Sequence, residues 1–356
     1  MQISSKGSLD KLTSYYCRGW ATLSTGEKAT ISVSISGKHF GNFSANEYRE
    51  DLHLLGISDG YSGFFVNLPR NTDVNSVTIN VTESETSLTV GNDASNDELT
   101  RWKKRKVQKL LGSAESSPMK VFEFGALHNP LELPQNCVVK YIDHASTKQL
   151  IKKYSEDTHV DTREFVQVDY VWPGGEVPRS ILKDGLADIA IASHVIEHVP
   201  DPISWLQSVR HALKTGGVLA LSIPDKRYTF DYLRENSSIT DILGSFLEKP
   251  VKPTARMIFD AKAHAISRNG EISWYTWDKV VQLNEIKPVE TIESAFNFAK
   301  DSASSSEYVD VHCWVFTNES FEKLINELIA LNLIPFEILE ISEPDGNEFI
   351  ARLMAI

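Results

Sequence analysis

Cysteine and long apolar runs are the two features that this sequence has least of. Its 356 residues include three cysteines, Cys17, Cys137 and Cys313, which lie far apart and match neither a disulfide framework nor a zinc-binding spacing. No apolar run approaches the roughly 18 residues that a membrane span needs. The N-terminal residues, MQISSKGS, contain no apolar stretch of the kind that an export signal carries. These absences predict a soluble cytoplasmic protein without a membrane span.

Positive charge is also scarce. The chain has 36 Lys and Arg against 48 Asp and Glu, which gives a net charge of −12. An acidic surface repels phosphate backbones and anionic lipids, so no nucleic-acid partner is expected. A chain of this length is long enough for two domains with separate cores.

Residues 1–92 show the alternation of apolar and polar side chains that is typical of strands with one buried face. Ile31, Val33 and Ile35 alternate with polar residues, and turn-forming residues separate segments of this kind. The pattern predicts an all-β sandwich as the N-terminal domain.

Two segments of this region, GWA at 19–21 and DGYSGF at 59–64, resemble β-sandwich modules of bacterial glycan-processing enzymes. One interpretation is a structural sandwich whose aromatic side chains form its core. The other is a glycan-binding or assembly module, in which an exposed Trp20 or Tyr61 stacks on a sugar.

Residues 93–118 are predicted to form a basic helical connector between loops at 91–93 and 113–118. Six Lys or Arg lie from position 101 to position 109. This charge is consistent with a patch for an anionic partner, such as a lipid-linked glycan carrier, or with a solvated helix face.

Residues 119–356 change to alternating strand and helix patterns. The predicted strands cover residues 121–124, 137–142, 165–168, 187–192, 218–223, 311–316, 336–341 and 348–354. Helical patterns separate the first five strands, which implies an α/β doubly wound, mostly parallel sheet whose last strand runs antiparallel. Residues 231–306 interrupt the alternation and are predicted to form an inserted helical cap. Ligands of such sheets bind at the C-terminal ends of the strands.

Several short motifs lie at those strand ends in a specific order. They are FEFG at 122–125, Asp143, SHVIEHVPDP at 193–202, LKTGG at 213–217 and FT at 316–317. Residues 121–354 thereby resemble a class I S-adenosylmethionine-dependent methyltransferase with a Rossmann-like fold, of the branch found in bacterial polysaccharide biosynthesis. The resemblance implies S-adenosylmethionine as cofactor and O-methylation of a sugar in a surface polysaccharide or its precursor. N-methylation of an amino sugar would differ only in the acceptor atom.

The resemblance also implies a set of cofactor-binding residues. Gly125 allows close backbone approach of the methionine part, and Asp143 accepts bonds from the ribose hydroxyls. Asp169 and Tyr170 are assigned to the adenine. The full set is Glu123, Gly125, Ala126, Asp143, Asp169, Tyr170, Ser193 and His194. A plain turn glycine and a helix N-cap are the alternatives for Gly125 and Asp143.

The glycine-rich loop of this family is incomplete here. Its pattern is acid-x-Gly-x-Gly-x-Gly, and after Gly125 this chain has Ala126, Leu127, His128 and Asn129. The alternative hypothesis is therefore a non-catalytic glycan-binding or scaffold protein that retains the fold.

Methyl transfer to a sugar hydroxyl requires a group that takes up its proton. His198 or His312 is predicted to be this base, with Asp225 orienting the base or the acceptor. Lys226, Arg227 and Tyr228 are predicted to bind the acceptor, and surface ion pairing is the alternative for the two cations. The expected partner is a sugar or glycan, free or lipid-linked, and a homo-oligomer or a glycan-biosynthesis partner is compatible with the sequence.

The residues HVIEH at 194–198 also match the pattern of one metalloprotease class. That chemistry requires a helix, whereas this segment follows an apolar strand and precedes Pro200, so a zinc protease is not expected. No metal site is predicted, because the candidate ligands lack a tight spacing. Two acids and two histidines that together hold a divalent cation are the alternative.

Overall fold

The computed structural model describes residues 3–70, 72–89, 98–112, 118–156, 160–305 and 307–356. The chain divides into two compact units, Met1–Arg101 (unit 1) and Trp102–Ile356 (unit 2). The loops predicted at 91–93 and 113–117 lie outside the described residues.

Two antiparallel sheets make up the described part of unit 1. The strands are β1 (Ser5–Leu12), β2 (Tyr16–Leu23), β3 (Thr30–Ile35), β4 (Lys38–Ser44), β5 (Glu47–Tyr48), β6 (Tyr61–Asn67), β7 (Val77–Val81) and β8 (Thr86–Ser87), and helix α1 (Glu50–Leu54) precedes β6. The strand orders are β1-β2-β6-β5 and β4-β3-β7-β8.

Both sheets contribute to one buried core. The alternation in β3 directs Ile31 and Val33 inward, and they join Cys17 and Phe64 of the other sheet. This arrangement agrees with the all-β character predicted for the N-terminal region. Tyr61, one candidate for sugar stacking, is half exposed.

Unit 2 contains a seven-stranded mixed sheet with helices. Helix α2 (Glu98–Leu111) begins in unit 1 and continues into unit 2. The elements that follow are β9 (Met119–Phe124), β10 (Cys137–Asp143), α3 (Thr147–Tyr154), β11 (Tyr170–Val171), α4 (Arg179–Asp184), β12 (Ala187–Ser193), α5 (Pro202–Ala212), β13 (Leu213–Pro224), α6 (Ile239–Glu248), α7 (Ala255–His264), β14 (Ile266–Arg268), β15 (Ile286–Pro288), α8 (Ile292–Ser304), α9 (Asn318–Ala330), β16 (Phe336–Ile341) and β17 (Glu348–Ala355).

The strand order of this sheet is β11-β10-β9-β12-β13-β17-β16. The chain runs outward from β9 to β11 and then returns to β12 on the other side of β9. Strand β17 is antiparallel to both of its neighbours. The order therefore reverses at β9, and the C-terminal ends of β9, β10 and β12 border the crevice where such sheets bind ligands.

Apolar side chains cover both faces of the sheet. Leu110 and Leu111 of α2 are fully buried and pack with Val121, Ile191 and Ile350 on one face. A larger core on the other face includes residues of α5 and α9. The doubly wound arrangement predicted from the strand–helix alternation is confirmed.

Two of the predicted strands are wrong. The third strand of the sheet is β11 rather than 165–168, where Val166 N–H donates to Leu127 O and Val168 N–H to Thr147 Oγ1. Residues 311–316 contribute only a single bridge, between Asp225 and Phe316. In both segments, extended backbone pairs with a loop instead of a neighbouring strand.

Helices α6, α7 and α8 and the β14–β15 ribbon occupy the region between residues 231 and 306. That these elements form a cap over the strand ends stays a prediction. No helix among the described residues is long and apolar enough to cross a membrane.

Candidate active site

Gly125, directly after β9, opens the crevice at the reversal of the strand order. Its φ is +66°, and its N–H donates to Ile142 O near the end of β10. A Cβ on Gly125 would lie 3.1 Å from Cγ2 of Val195, which follows β12. The residue is nevertheless exposed on its remaining side, so a ligand can approach its backbone.

Glu123 lies in β9 and is 2% exposed. Its Oε1 accepts a bond from Leu131 N–H, at 2.9 Å, whereas its Oε2 is buried without a partner. Burial raises the pKa of Glu123 to about 8, although the Leu131 N–H and the charge of Lys106 act in the opposite direction. A buried acceptor of this kind favours a cationic or hydrogen-bond-donating ligand group.

Asp143 ends β10 and is 7% exposed. Its Oδ1 accepts from the backbone N–H of His144 at 2.7 Å and lies equally close to the Nδ1 atom of that residue. The sequence suggests two roles for Asp143, a ribose-binding carboxylate and a helix N-cap. The N-cap role is not observed, because Ser146 occupies that position before α3. The carboxylate lies next to the Gly125 turn, where it can accept hydroxyl donors.

The loop that lacks the later glycines turns away from Gly125. Leu127, at the position of the second glycine, has a φ of +45°, so the backbone conformation that glycine favours is retained. Its carbonyl pairs with Val166, and the ring of His128 stacks on Phe165 at 6.1 Å. These contacts direct both residues toward 165–166.

In the structure, the polar groups of Asp169 and Tyr170 already bond to other residues and are not available to a ligand in this crevice. Asp169 Oδ2 accepts from Tyr141 N–H at 2.8 Å and its Oδ1 contacts Lys140. The Tyr170 hydroxyl donates to Asp184. The predicted adenine contacts would require these bonds to be exchanged, so they stay predictions.

Ser193 and His194 end β12 and join a buried network that sequence reasoning missed. Lys106 of α2 donates to Ser193 Oγ and to Glu348 Oε2, each at 2.8 Å. His194 Nε2 lies 2.7 Å from the same Glu348 oxygen, and Ser222 also donates to it. Burial alone would raise the pKa of Glu348, but Lys106 and His194 outweigh it and lower the pKa to about 2. The basic helix α2 is thus anchored to the strand ends.

His198 and His312 come together although they are far apart in sequence. Backbone N–H groups of Cys313 and Trp314 donate to Glu197 O and fasten the two segments. The two imidazole rings are perpendicular, with centroids 4.7 Å apart. His312 Nδ1 lies 2.5 Å from Asp231 Oδ2, and His198 Nδ1 lies 2.8 Å from Asp310 Oδ1.

Glu197, His198, Asp231, Asp310 and His312 are called the histidine cluster below. Burial alone would lower the pKa of His198, but the Asp310, Glu197 and Asp231 carboxylates outweigh it and raise that pKa. His312 lowers the pKa of Asp231 against the effect of burial, as does His198 that of Asp310. The cluster therefore favours positive charge at the His198 imidazole.

The three acidic members of this cluster were not singled out by sequence reasoning. Glu197 was visible within the 194–198 motif and Asp310 lies two residues before His312, but nothing in the sequence connects Asp231 with the histidines.

The structure places Asp225 away from both histidines. Its carboxylate accepts from Arg227 Nε at 2.8 Å and from Arg227 Nη2 at 2.6 Å, and Arg227 also donates to Asn318. Lys226 is different, because its amine has no hydrogen-bond partner among the described residues, and burial lowers its pKa. Lys226 is thus a member of the predicted acceptor set that has a free donor, and Tyr228 lies in the same short helical turn.

Comparison with known proteins decides the family. The model of a methyltransferase domain matches residues 98–276, which is half of the chain. The chain belongs to the methyltransferase family. Its cofactor is S-adenosylmethionine, and the fit of the residues at the Gly125 crevice to this cofactor is considered below.

Similar solved structures include three methyltransferases. One from Clostridium acetobutylicum ATCC 824 is 10% identical, with 73% of this chain and 93% of that chain covered and a TM-score of 0.36. CcbJ from Streptomyces caelestis is 9% identical, with 71% and 96% covered and a TM-score of 0.37. CalH in complex with SAH is 12% identical, with 72% and 58% covered and a TM-score of 0.33. No curated protein matches the chain, so the family assignment rests on the matched residues.

The residues of the crevice fit this cofactor. The unpartnered Oε2 of Glu123 suits a donor of the amino-acid part, and a Cβ at Gly125 would narrow the space that this part needs. Asp143 provides a buried carboxylate for the ribose diol. When bound, the cofactor supplies an electrophilic methyl group on a positively charged sulfur, and these residues of the methyltransferase would hold and orient it.

Proposed function

We propose that this methyltransferase methylates a hydroxyl oxygen of a sugar, in a surface polysaccharide or its precursor. The observation that carries the proposal is the histidine cluster. A sugar hydroxyl is a weak acid and must lose its proton as its oxygen attacks, whereas an amine already has a free lone pair. A buried imidazole and a half-buried one, each close to a carboxylate, favour the hydroxyl as acceptor.

The cluster provides two nitrogen atoms for this task. Each imidazole uses Nδ1 toward a carboxylate, Asp231 for His312 and Asp310 for His198. Neither Nε2 has a hydrogen-bond partner in the described part of the chain. A carboxylate at Nδ1 fixes the ring orientation and leaves Nε2 to act on the acceptor.

Two further features support a sugar as the acceptor. The partly buried amine of Lys226 can donate to hydroxyl or phosphate oxygens. Tyr275 and Trp277 stack with ring centroids 4.7 Å apart, and Trp102 contacts both rings edge-on. Trp277 is 39% exposed, so an aromatic face is available for the apolar side of a sugar ring.

The proposal is tested by measuring transfer of a labelled methyl group to sugars and nucleotide-linked sugars, in buffer without chelator. His312→Ala is expected to lower kcat about 100-fold or more, the range that loss of acid–base assistance produces. The control is His264→Ala, since His264 also contacts a carboxylate, Asp260, but lies on the exposed surface of α7. Transfer to amines with no transfer to any hydroxyl would overturn the proposal.

A further inference from the structure

We propose that Glu197, His198 and His312 bind one divalent transition-metal ion. One ligand atom of each residue lies within 4.8 Å of those of the other two. Ligand distances to zinc are about 2.0–2.2 Å for imidazole nitrogen and carboxylate oxygen, so two ligands of one ion are about 3–4 Å apart. The three side chains need to move by less than about 1 Å to close around such an ion.

The carboxylates behind the histidines support this assignment. Metal-bound histidines typically direct their second ring nitrogen to a carboxylate, which fixes the tautomer and the ring orientation. His312 meets this condition, because its Nδ1 bonds with Asp231. Asp310 Oδ1 lies 2.8 Å from His198 Nδ1, close enough to act behind that ring, although the two atoms are outside hydrogen-bond geometry. The Nε2 atoms are therefore the nitrogens left for an ion.

Glu197 provides an independent observation. Its side chain is fully buried, and neither carboxylate oxygen has a hydrogen-bond partner. His194 Nδ1 lies 3.7 Å from Glu197 Oε1, which is too far for a hydrogen bond. A buried carboxylate without partners is costly unless a cation compensates for it.

The charge of the cluster points in the same direction. Glu197, Asp231 and Asp310 are three carboxylates, of which Asp231 contacts Arg234 at 2.7 Å, and Arg234 also pairs with Asp260. Lys153 and Lys226 act on Asp310 and Asp231 only through their charge, so Glu197 and Asp310 have no lysine or arginine in direct contact among the described residues. Two imidazolium rings at a centroid distance of 4.7 Å would repel each other, whereas one divalent ion supplies both charges at one point.

Two imidazoles and one carboxylate leave open coordination positions on such an ion, as in catalytic rather than structural sites. An acceptor hydroxyl bound there would become more acidic. In the metal-bound state the two Nε2 atoms would be ligands, and the ion would acidify the hydroxyl, whose proton would pass to solvent water. Only this role rests on the proposed function, since ion binding is measured without cofactor or acceptor.

The test uses the full-length, untagged chain, freed of metal by dialysis against a chelator and then titrated with Co²⁺. Visible absorption reports nitrogen ligation, and elemental analysis gives the number of ions per chain. We expect one Co²⁺ per chain, with affinity lowered at least 100-fold in Glu197→Gln and in His312→Gln. Asp310→Asn, which removes a partner behind a ligand, is expected to lower affinity about 10–100-fold.

His264→Gln is the matched control, because it removes a carboxylate-paired histidine outside the histidine cluster. Far-ultraviolet circular dichroism establishes that each variant is folded. If a ligand variant does not fold, the affinity of Asp310→Asn for Co²⁺ tests the site in its place. Absence of stoichiometric binding would overturn the proposal. So would binding that survives both Glu197→Gln and His312→Gln, since the ion would then occupy another place.

Activity separates this proposal from the proposed function. Stoichiometric binding with full methylation of a sugar by the metal-free chain would refute the role given to the ion and leave the proposed function intact. Stoichiometric binding with no methylation of any hydroxyl in the metal-loaded chain would support the site and refute the proposed function.

Discussion

At the scale of single residues, Gly125 joins backbone conformation to cofactor access. Gly125→Ala is expected to cost about 1–2 kcal/mol of stability, because its φ of +66° is unfavourable for alanine. It should also weaken S-adenosylhomocysteine binding, since the added Cβ faces Val195 at 3.1 Å in the crevice. Urea unfolding and calorimetry measure the two effects.

Gly216→Ala is the control for this change. Gly216 has a φ of +76° and open space around its missing Cβ. Gly216→Ala should lower the free energy of unfolding by a similar amount without weakening S-adenosylhomocysteine binding. Equal losses of affinity in the two variants would contradict the place given to Gly125.

Glu123 predicts a dependence of stability on pH. Burial raises its pKa from 4.5 to about 8, so between these values the folded chain keeps a proton that the unfolded chain has lost. Stability therefore falls as pH rises through this range. Glu123→Gln does not ionise, and we expect it to exceed the wild type in free energy of unfolding by about 4 kcal/mol at pH 8.

The same comparison at pH 4.5 should show a difference of only about 0.4 kcal/mol, because the folded wild type then retains the proton and the unfolded chain has lost only half of it. Urea unfolding at the two pH values checks this. A difference that stays constant with pH would mean that the Glu123 carboxyl is ionised in the folded chain.

At the scale of elements, α2 is held to the sheet by one buried ion pair. Lys106→Met would leave Glu348, which is 2% exposed, without its main counter-charge. We expect a loss of about 3 kcal/mol in the free energy of unfolding. Tryptophan fluorescence during urea unfolding measures it.

Lys109→Met is the matched variant on the same helix. Lys109 contacts Asp345, which is more exposed and also pairs with Arg105. This change should cost less than about 1 kcal/mol. Similar losses in the two variants would show that burial of Glu348 does not govern the attachment of α2.

The elements also show where sequence reasoning succeeds. Strands β9, β10, β12 and β13 were predictable, because short apolar runs between helical patterns have few alternative structures. Residues 165–168 and 311–316 have similar composition, but their backbone groups pair with the Leu127 loop and with Glu197. Hydrogen-bond partners of extended segments depend on tertiary contacts that composition does not encode.

The glycine loop illustrates the same limit. In the sequence, the lost glycines are the reason for the non-catalytic alternative. In the structure, Leu127 keeps the left-handed conformation and turns toward Val166. The sequence alone does not show in which direction a loop without glycine turns.

At the scale of the whole molecule, one part of the candidate site can be predicted from the sequence and the other part cannot. Glu123, Gly125 and Asp143 end strands whose order follows from the doubly wound pattern, so their proximity could be inferred. The histidine cluster joins segments near residues 198, 231 and 312. Their meeting depends on how the chain after β13 returns to the sheet, which no local pattern records.

Calorimetry with S-adenosylhomocysteine tests the central claim most directly, which is that the crevice at Gly125 holds the cofactor despite its incomplete loop. Asp143→Ala is compared with Asp301→Ala, which changes an exposed aspartate on α8. We predict saturable one-to-one binding in the micromolar range, weakened at least about 100-fold by Asp143→Ala and unchanged by Asp301→Ala. No binding at millimolar ligand, or equal binding by both variants, would contradict this account.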